Sequence, residues 1–263
     1  MVFDGVPTGI VVATAAVFGA VLGSFLNVCI LRWGAEPKQS VVRPPSHCPR
    51  CGRSLSWYDN VPVVSWLVLR GRCRGCALPI SIQYPLIELA VAVIWGGMVW
   101  WFGAGLAALA GAVFFTILLG IAVTDARAYL IPDEFSLGGL VLGLVLAALG
   151  GWSALLTAAI GAAVGFALLW LVAVGGTWFF KQDAMGGGDI KMMAMVGAFV
   201  GWKGVLLTVF LGALLGSLIF VPLMLAGNKR LVPFGIFLAL GAAAAYLVGP
   251  EILAWYGRFL TDA

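Results

Sequence analysis

The sequence predicts an all-α polytopic membrane protein of about eight transmembrane helices, with one small cysteine-bearing loop domain. Three observations predict it. Hydrophobic residues make up 62% and charged residues 10% of the 263, and the mean hydropathy is +1.08, more apolar surface than one water-soluble core can bury. Apolar runs of about 20 residues recur along the chain, long enough to cross hydrocarbon as helices. A single long polar stretch, residues 32–83, separates the first run from the rest and holds four of the five cysteines.

The runs lie at 8–31, 84–103, 105–124, 134–150, 153–180, 189–201, 203–226 and 232–256. The first lacks a basic leading region at Val2 to Asp4 and a cleavage site after it, so it reads as an uncleaved helix. The third ends in Phe114 to Thr124, with Asp125 directly after it. Ile131-Pro132-Asp133 reads as an ordinary helix start for the fourth, and Asp183 reads as a loop residue. Asp189 opens the sixth, behind Gly186-Gly187-Gly188. The fourth and sixth are short for a crossing. Gly161-x-x-x-Gly165 and Gly212-x-x-x-Gly216 allow close helix packing, within one bundle or between copies, so monomer and homo-oligomer are both open. Three parts follow: a first helix at 1–31, a loop domain at 32–83 and a seven-helix core at 84–263.

Orientation follows from Lys and Arg, which short loops retain on the cytoplasmic side. With 32–83 inside, eight alternating spans place 13 of the 15 basic residues at the inner face. Only Lys203 and Arg258 fall outside, and both termini are external. Adding or removing a span would send either the Asp125 loop or the Asn228-Lys229-Arg230 loop to the wrong side. The net charge of +4 tracks topology rather than a basic stripe, so no nucleic-acid partner is expected.

The loop cysteines form two pairs, Cys48-x-x-Cys51 and Cys73-x-x-Cys76. This spacing matches a four-thiolate tetrahedral zinc site, and the competing reading is two disulfides, rare in a reducing compartment. A zinc-ribbon-like cytoplasmic domain of this size buries little core, so the metal supplies folding energy and its role is structural. His47 reads as a neighbour of the site rather than a ligand, and Cys29 as a packing residue.

Asp125 and Asp189 are the candidate catalytic pair. Carboxylates at membrane depth are functional candidates by default, and the topology brings these two to one face. Asp125 sits at a helix C-terminus, where the dipole disfavours an anion, and Asp189 at a helix N-terminus, where free amides favour one. The expectation is a protonated Asp125 and an ionised Asp189, the second activating water and the first donating to a peptide oxyanion. Gly186, Gly187 and Gly188 leave the backbone bare for an extended peptide. The competing reading makes Asp189 an N-cap and Asp125 a solvated helix end.

These motifs resemble the type IV prepilin peptidases, G-x-G-D aspartyl proteases of pilus and type II secretion systems. Gly23-Ser24-Phe25-Leu26-Asn27-Val28 with Arg32, the paired Cys-x-x-Cys loop, and Tyr84-Pro85-Leu86-Ile87-Glu88-Leu89 are similar to the family's motifs, in its order. So are Asp125 through Asp133, Gly186-Gly187-Gly188-Asp189-Ile190-Lys191, and Pro233-Phe234-Gly235 with Leu238-Ala239-Leu240-Gly241. The resemblance implies a bacterial inner-membrane enzyme that removes the short leader of prepilins and pseudopilins at the cytoplasmic face. It further implies N-methylation of the new terminus with S-adenosylmethionine, with Lys191 among the substrate-binding residues. Glu88 is a candidate for the methyl-transfer step, beside its reading as a buried hydrogen-bonding or helix-entry residue. Two other classes stay open at this point: a transporter with an acidic pathway, and a zinc-ribbon scaffold without catalysis.

Overall fold

A computed structural model describes residues 6–182, 185–225 and 233–261. Val2 to Asp4, Asp183 and the Asn228-Lys229-Arg230 loop lie outside the described residues. Among the described residues there are eight α-helices: α1 (Thr8–Trp33), α2 (Val64–Val68), α3 (Gln83–Phe102), α4 (Leu106–Ala128), α5 (Asp133–Leu149), α6 (Trp152–Phe180), α7 (Gly187–Leu225) and α8 (Phe234–Thr261). Six of them, α1, α3, α4, α6, α7 and α8, are long and apolar enough to cross a membrane. The α5 helix has 17 residues, about 25 Å at 1.5 Å per residue and at the short end for a crossing, and it runs alongside the start of α7, with Gly139 against Met195 and Gly143 against Phe199. Large apolar side chains cover the outer surface. Trp152 and Trp178, at opposite ends of α6, are 78% and 82% exposed, the placement expected of interfacial aromatic anchors.

The chain divides into two compact units, Met1–Thr116 and Ile117–Ala263. In the first, α1 and α3 form an antiparallel hairpin closed by small residues. A β-carbon on Gly23 would come within 2.7 Å of the Glu88 Cα, and one on Gly19 within 2.7 Å of the Val91 carbonyl oxygen, so the backbones meet where only glycine fits. Nearer the polar loop, buried Asn27 donates from its side-chain amide to the Tyr84 carbonyl at 3.2 Å. At the other end Met98 packs with Ala108 and Ala112, and the Trp95 indole donates to Thr116 Oγ1 at 3.1 Å.

In the second unit, α6 runs antiparallel to the first limb of α7. Gly161 abuts the carbonyl of Gly197 and Gly165 that of Met193, so the predicted Gly161-x-x-x-Gly165 stripe works inside one bundle. The predicted sixth and seventh spans are the two helical limbs of α7, which meet at the non-helical Gly201 with φ 67° and ψ 176°. Gly188 lies against Ile131, as does Gly235 at the start of α8, while Gly216 lies against Phe234 and Phe237 of that same helix start. A straight helix would carry Gly216 about 42 Å from Gly188. The chain therefore doubles back at Gly201, and the boundary between the two predicted spans is a real reversal inside α7. Glycine suits it because φ is in the left-handed half of the map.

Candidate active site and metal centre

Asp125 lies in the last turn of α4, which continues to Ala128 rather than stopping at the predicted Thr124. The helix ends at Tyr129, whose φ is 53° and whose amide donates to the Asp125 carbonyl at 2.9 Å. The Asp125 side chain is buried at 6% exposure, and its Oδ2 has no hydrogen-bond partner among the described groups. That rules out a solvated helix end. The amides of Ile236 and Gly235, the first free donors of α8, face its carboxyl group, as expected of a helix N-terminus beside a carboxylate.

Asp189 lies in the first turn of α7, its amide donating back to Gly186 at 3.2 Å. Its carboxyl group is close enough to that of Asp125 for direct electrostatic interaction. Two acids 64 positions apart thus meet at the ends of two helices of one unit. Of the three glycines before Asp189, only Gly188 is crowded, with the Ile131 side chain 3.0 Å from where its β-carbon would lie. Gly187 has open space around it, and Gly186 and Gly187 are exposed beside the acids. Lys191 is already engaged: its Nζ donates to both oxygens of Asp133, at 2.8 and 3.0 Å. Asp133 therefore does more than start α5; it joins that helix to the start of α7.

Two residues of the site had no role assigned from sequence. A β-carbon on Gly235 would stand 2.7 Å from Asp125 Oδ2 and 3.0 Å from Ile131 Cδ1, and Ile131 itself bridges Gly188 and Gly235. Gly235 was visible as part of a Pro-Phe-Gly motif, and Ile131 as part of Ile-Pro-Asp. Neither spacing shows that the two touch.

In the first unit the four loop cysteines converge. Their Sγ atoms all lie within 4.8 Å of one another, and Cys48 and Cys76 are 3.9 Å apart. Thiolates about 2.3 Å from a tetrahedral zinc stand roughly 3.8 Å apart, so the donor set and spacing fit that ion. All four are free thiols, as the zinc reading requires and the disulfide reading does not. The two knuckles repeat one design. The Cys48 amide donates to Arg53 and the Gly52 amide to Cys48; the Cys73 amide donates to Leu78 and the Ala77 amide to Cys73. Each turn needs a residue with positive φ, Gly52 at 70° and Ala77 at 59°.

Amide donors from Cys51 and Arg50 pull the Cys48 thiol down to about 6, and those of Cys76 and Gly75 hold Cys73 below the usual thiol range. The Leu78 amide lowers Cys76 too, but burial and the other three thiols outweigh it and push Cys76 up to about 11. His47 Nδ1 sits 3.0 Å from the Pro45 carbonyl oxygen, a neighbour of the site as expected. A second support lies outside the thiols: Arg74 Nε donates to Asp59 Oδ1 at 2.9 Å and its guanidinium stacks on Tyr58.

Glu88 is buried at 6% exposure. Its Oε2 accepts from the Val63 amide at 2.7 Å, and its carboxyl group is also hydrogen-bonded to Ser24. Of its two expected readings, the structure displays the buried hydrogen-bonding one.

Comparison with known proteins completes the picture. Residues 17–102 match the bacterial peptidase A24 N-terminal domain and residues 112–221 match the type IV leader peptidase family. Relatives named prepilin leader peptidase/N-methyltransferase are similar over most of the chain. The Aeromonas hydrophila protein is 35% identical over 268 residues, covering 91% of each chain, and that of Pseudomonas putida 36% over 270 residues, covering 92% of each. The Myxococcus xanthus protein is 38% identical over 213 residues, which span 81% of this chain and 63% of that protein. No solved structure matched. Fold and matches together define a membrane-embedded bacterial peptidase of the A24 class. Within that class, the chain belongs to the type IV leader peptidase family.

Proposed function

We propose that Asp125 and Asp189 are the catalytic carboxyl groups of a membrane aspartic endopeptidase that removes the leader of type IV prepilins and pseudopilins and N-methylates the new terminus. The observation that carries the proposal is the convergence of two acids from separate helix ends, one wholly buried, at a position opened by Gly235. A pair of this kind works with one proton between its two carboxyl groups. The ionised member of the pair takes the proton of an attacking water, and the protonated member donates to the oxyanion of the scissile carbonyl. Gly186 and Gly187 offer a bare backbone edge on which an extended leader can pair.

The site lies at helix ends, where a substrate's polar leader meets its apolar helix. Cleavage there needs no unwinding deep in lipid, where unpaired backbone is costly. With the basic loops inside, both the pair and the cysteine loop face the cytoplasm and the protein resides in the inner membrane. Cys48, Cys51, Cys73 and Cys76 would hold a structural zinc, which supplies folding energy to a loop with little core of its own. S-adenosylmethionine is the methyl donor. A transport or scaffold role gains no support from these matches.

Mass spectrometry of a prepilin co-expressed with the protein tests the reading. Wild-type protein gives the leader-sized mass loss, and Asp125→Asn or Asp189→Asn leaves the full-length substrate. Cleavage surviving in either folded variant overturns it.

A further inference from the structure

We infer that Glu88 is a positioning residue, a hydrogen-bond acceptor that pins the cysteine loop to the first membrane hairpin, and not a proton-transfer group for methylation. Val63 has φ 62° and ψ −50°, and the Val64 amide donates to the Pro62 carbonyl at 2.6 Å. That is a γ-turn with positive φ at its centre, the rare and strained form. A β-branched residue in this region is a genuine outlier, and strain of this kind persists only where the surroundings over-determine it.

Glu88 supplies the determination. Its Oε2 takes the Val63 amide at 2.7 Å, in a position where α1 and α3 touch through Gly23 and Ser24 completes the carboxyl group's bonding. The strained turn immediately precedes α2, whose Ser65 Oγ donates to the Tyr58 carbonyl at 2.7 Å. Tyr58 in turn carries the Arg74 guanidinium of the second knuckle. One buried carboxyl therefore sets the position of the turn, α2 and the Cys73–Cys76 knuckle relative to the membrane hairpin. Its carboxyl group is already hydrogen-bonded to the Val63 amide and to Ser24, the bonding of a structural acceptor.

The two roles separate in one substitution. In Glu88→Gln the side-chain oxygen can still accept from Val63, while the amide nitrogen donates to Ser24, whose hydroxyl accepts as readily as it donates. The pin survives and a proton-transfer function does not. The experiment uses full-length protein in membranes, with three readouts: protease sensitivity of the 36–80 segment, bound zinc, and N-methylation of a co-expressed prepilin. The expected result is Glu88→Gln close to wild type in all three, and Glu88→Ala cleaved in the segment about tenfold faster or more, as loss of a buried hydrogen bond raises the open population.

Val63→Gly relieves the positive φ, so the double variant Glu88→Ala with Val63→Gly regains part of the protection. Loss of methylation in Glu88→Gln with the segment still protected would overturn the inference. So would a Glu88→Ala protein that is inserted and as protease-resistant as wild type. If Glu88→Ala does not accumulate, Glu88→Gln against wild type decides alone. The inference takes N-methylation from the proposed function, but segment protection is read without it, so failure of one does not imply failure of the other.

Discussion

Asp125 Oδ2 and the α-carbon of Gly235 face one another so closely that a β-carbon on Gly235 would stand 2.7 Å from that oxygen. The contact joins the end of α4 to the start of α8 and leaves room for a buried carboxyl group where any larger residue would displace it. Gly235→Ala is therefore expected to lower prepilin cleavage on the order of 10²-fold, the usual consequence of a small misplacement of a reacting group. Cleavage by detergent-purified protein, with the melting temperature measured alongside, checks this. Unchanged cleavage would mean that Asp125 tolerates displacement.

Gly187 makes the opposite case. Nothing lies within 4 Å of its would-be β-carbon, so Gly187→Ala leaves stability alone. If the exposed glycines take the leader backbone, the substitution raises KM for prepilin severalfold with kcat nearly unchanged. A kinetic split the other way, or no change, removes the backbone-pairing role.

The Asp133–Lys191 pair holds the starts of α5 and α7 together beside the acids, yet both side chains are 40% or more exposed. Its loss changes stability by no more than about 1 kcal/mol. Asp133→Asn and Lys191→Met are expected to reduce kcat with little effect on the melting temperature, and the charge-exchanged Asp133→Lys with Lys191→Asp to recover part of it. Absence of recovery would assign Lys191 a direct contact with substrate instead.

The cysteine module carries a pH signature. Cys48 is depressed to about 6, so its thiolate contributes to module stability fully above the ordinary thiol pKa, and the contribution is lost as pH falls through about 6. Cys76, raised to about 11, acts in the other sense: its neutral form stabilises below the ordinary value and the effect is lost as pH rises through about 11. In metal-stripped protein whose loop is shown by protease resistance to stay folded, alkylation followed residue by residue should label Cys48 near neutral pH and Cys76 only in strong alkali. Zinc at one equivalent protects all four, and equal labelling of Cys48 and Cys76 at pH 7 in the folded loop contradicts the arrangement.

Much of this was legible in the chain. Apolar runs located the helices because lipid demands length and hydropathy, and the break at Gly201 fell at the end of the sixth run. Cys-x-x-Cys spacing located the cysteine cluster because each knuckle is a local turn with its own hydrogen bonds. The acids stood out because charge at membrane depth is costly. The remainder depends on contacts between distant positions. Gly235 meets Asp125 across 110 residues, Ile131 bridges Gly188 and Gly235, and Glu88 meets a strained turn at Val63 that no propensity favours. The extension of α4 past Thr124 to Ala128 reflects a helix continuing beyond its apolar run, which hydropathy does not register.

The most direct test of the central claim is the mass of a prepilin processed by wild type, Asp125→Asn and Asp189→Asn proteins, each shown to be inserted and folded. The expected result is a leader-sized loss with wild type and none with either variant. A processed prepilin from a folded Asp125→Asn or Asp189→Asn protein would show that the two carboxyl groups are not the cleaving pair.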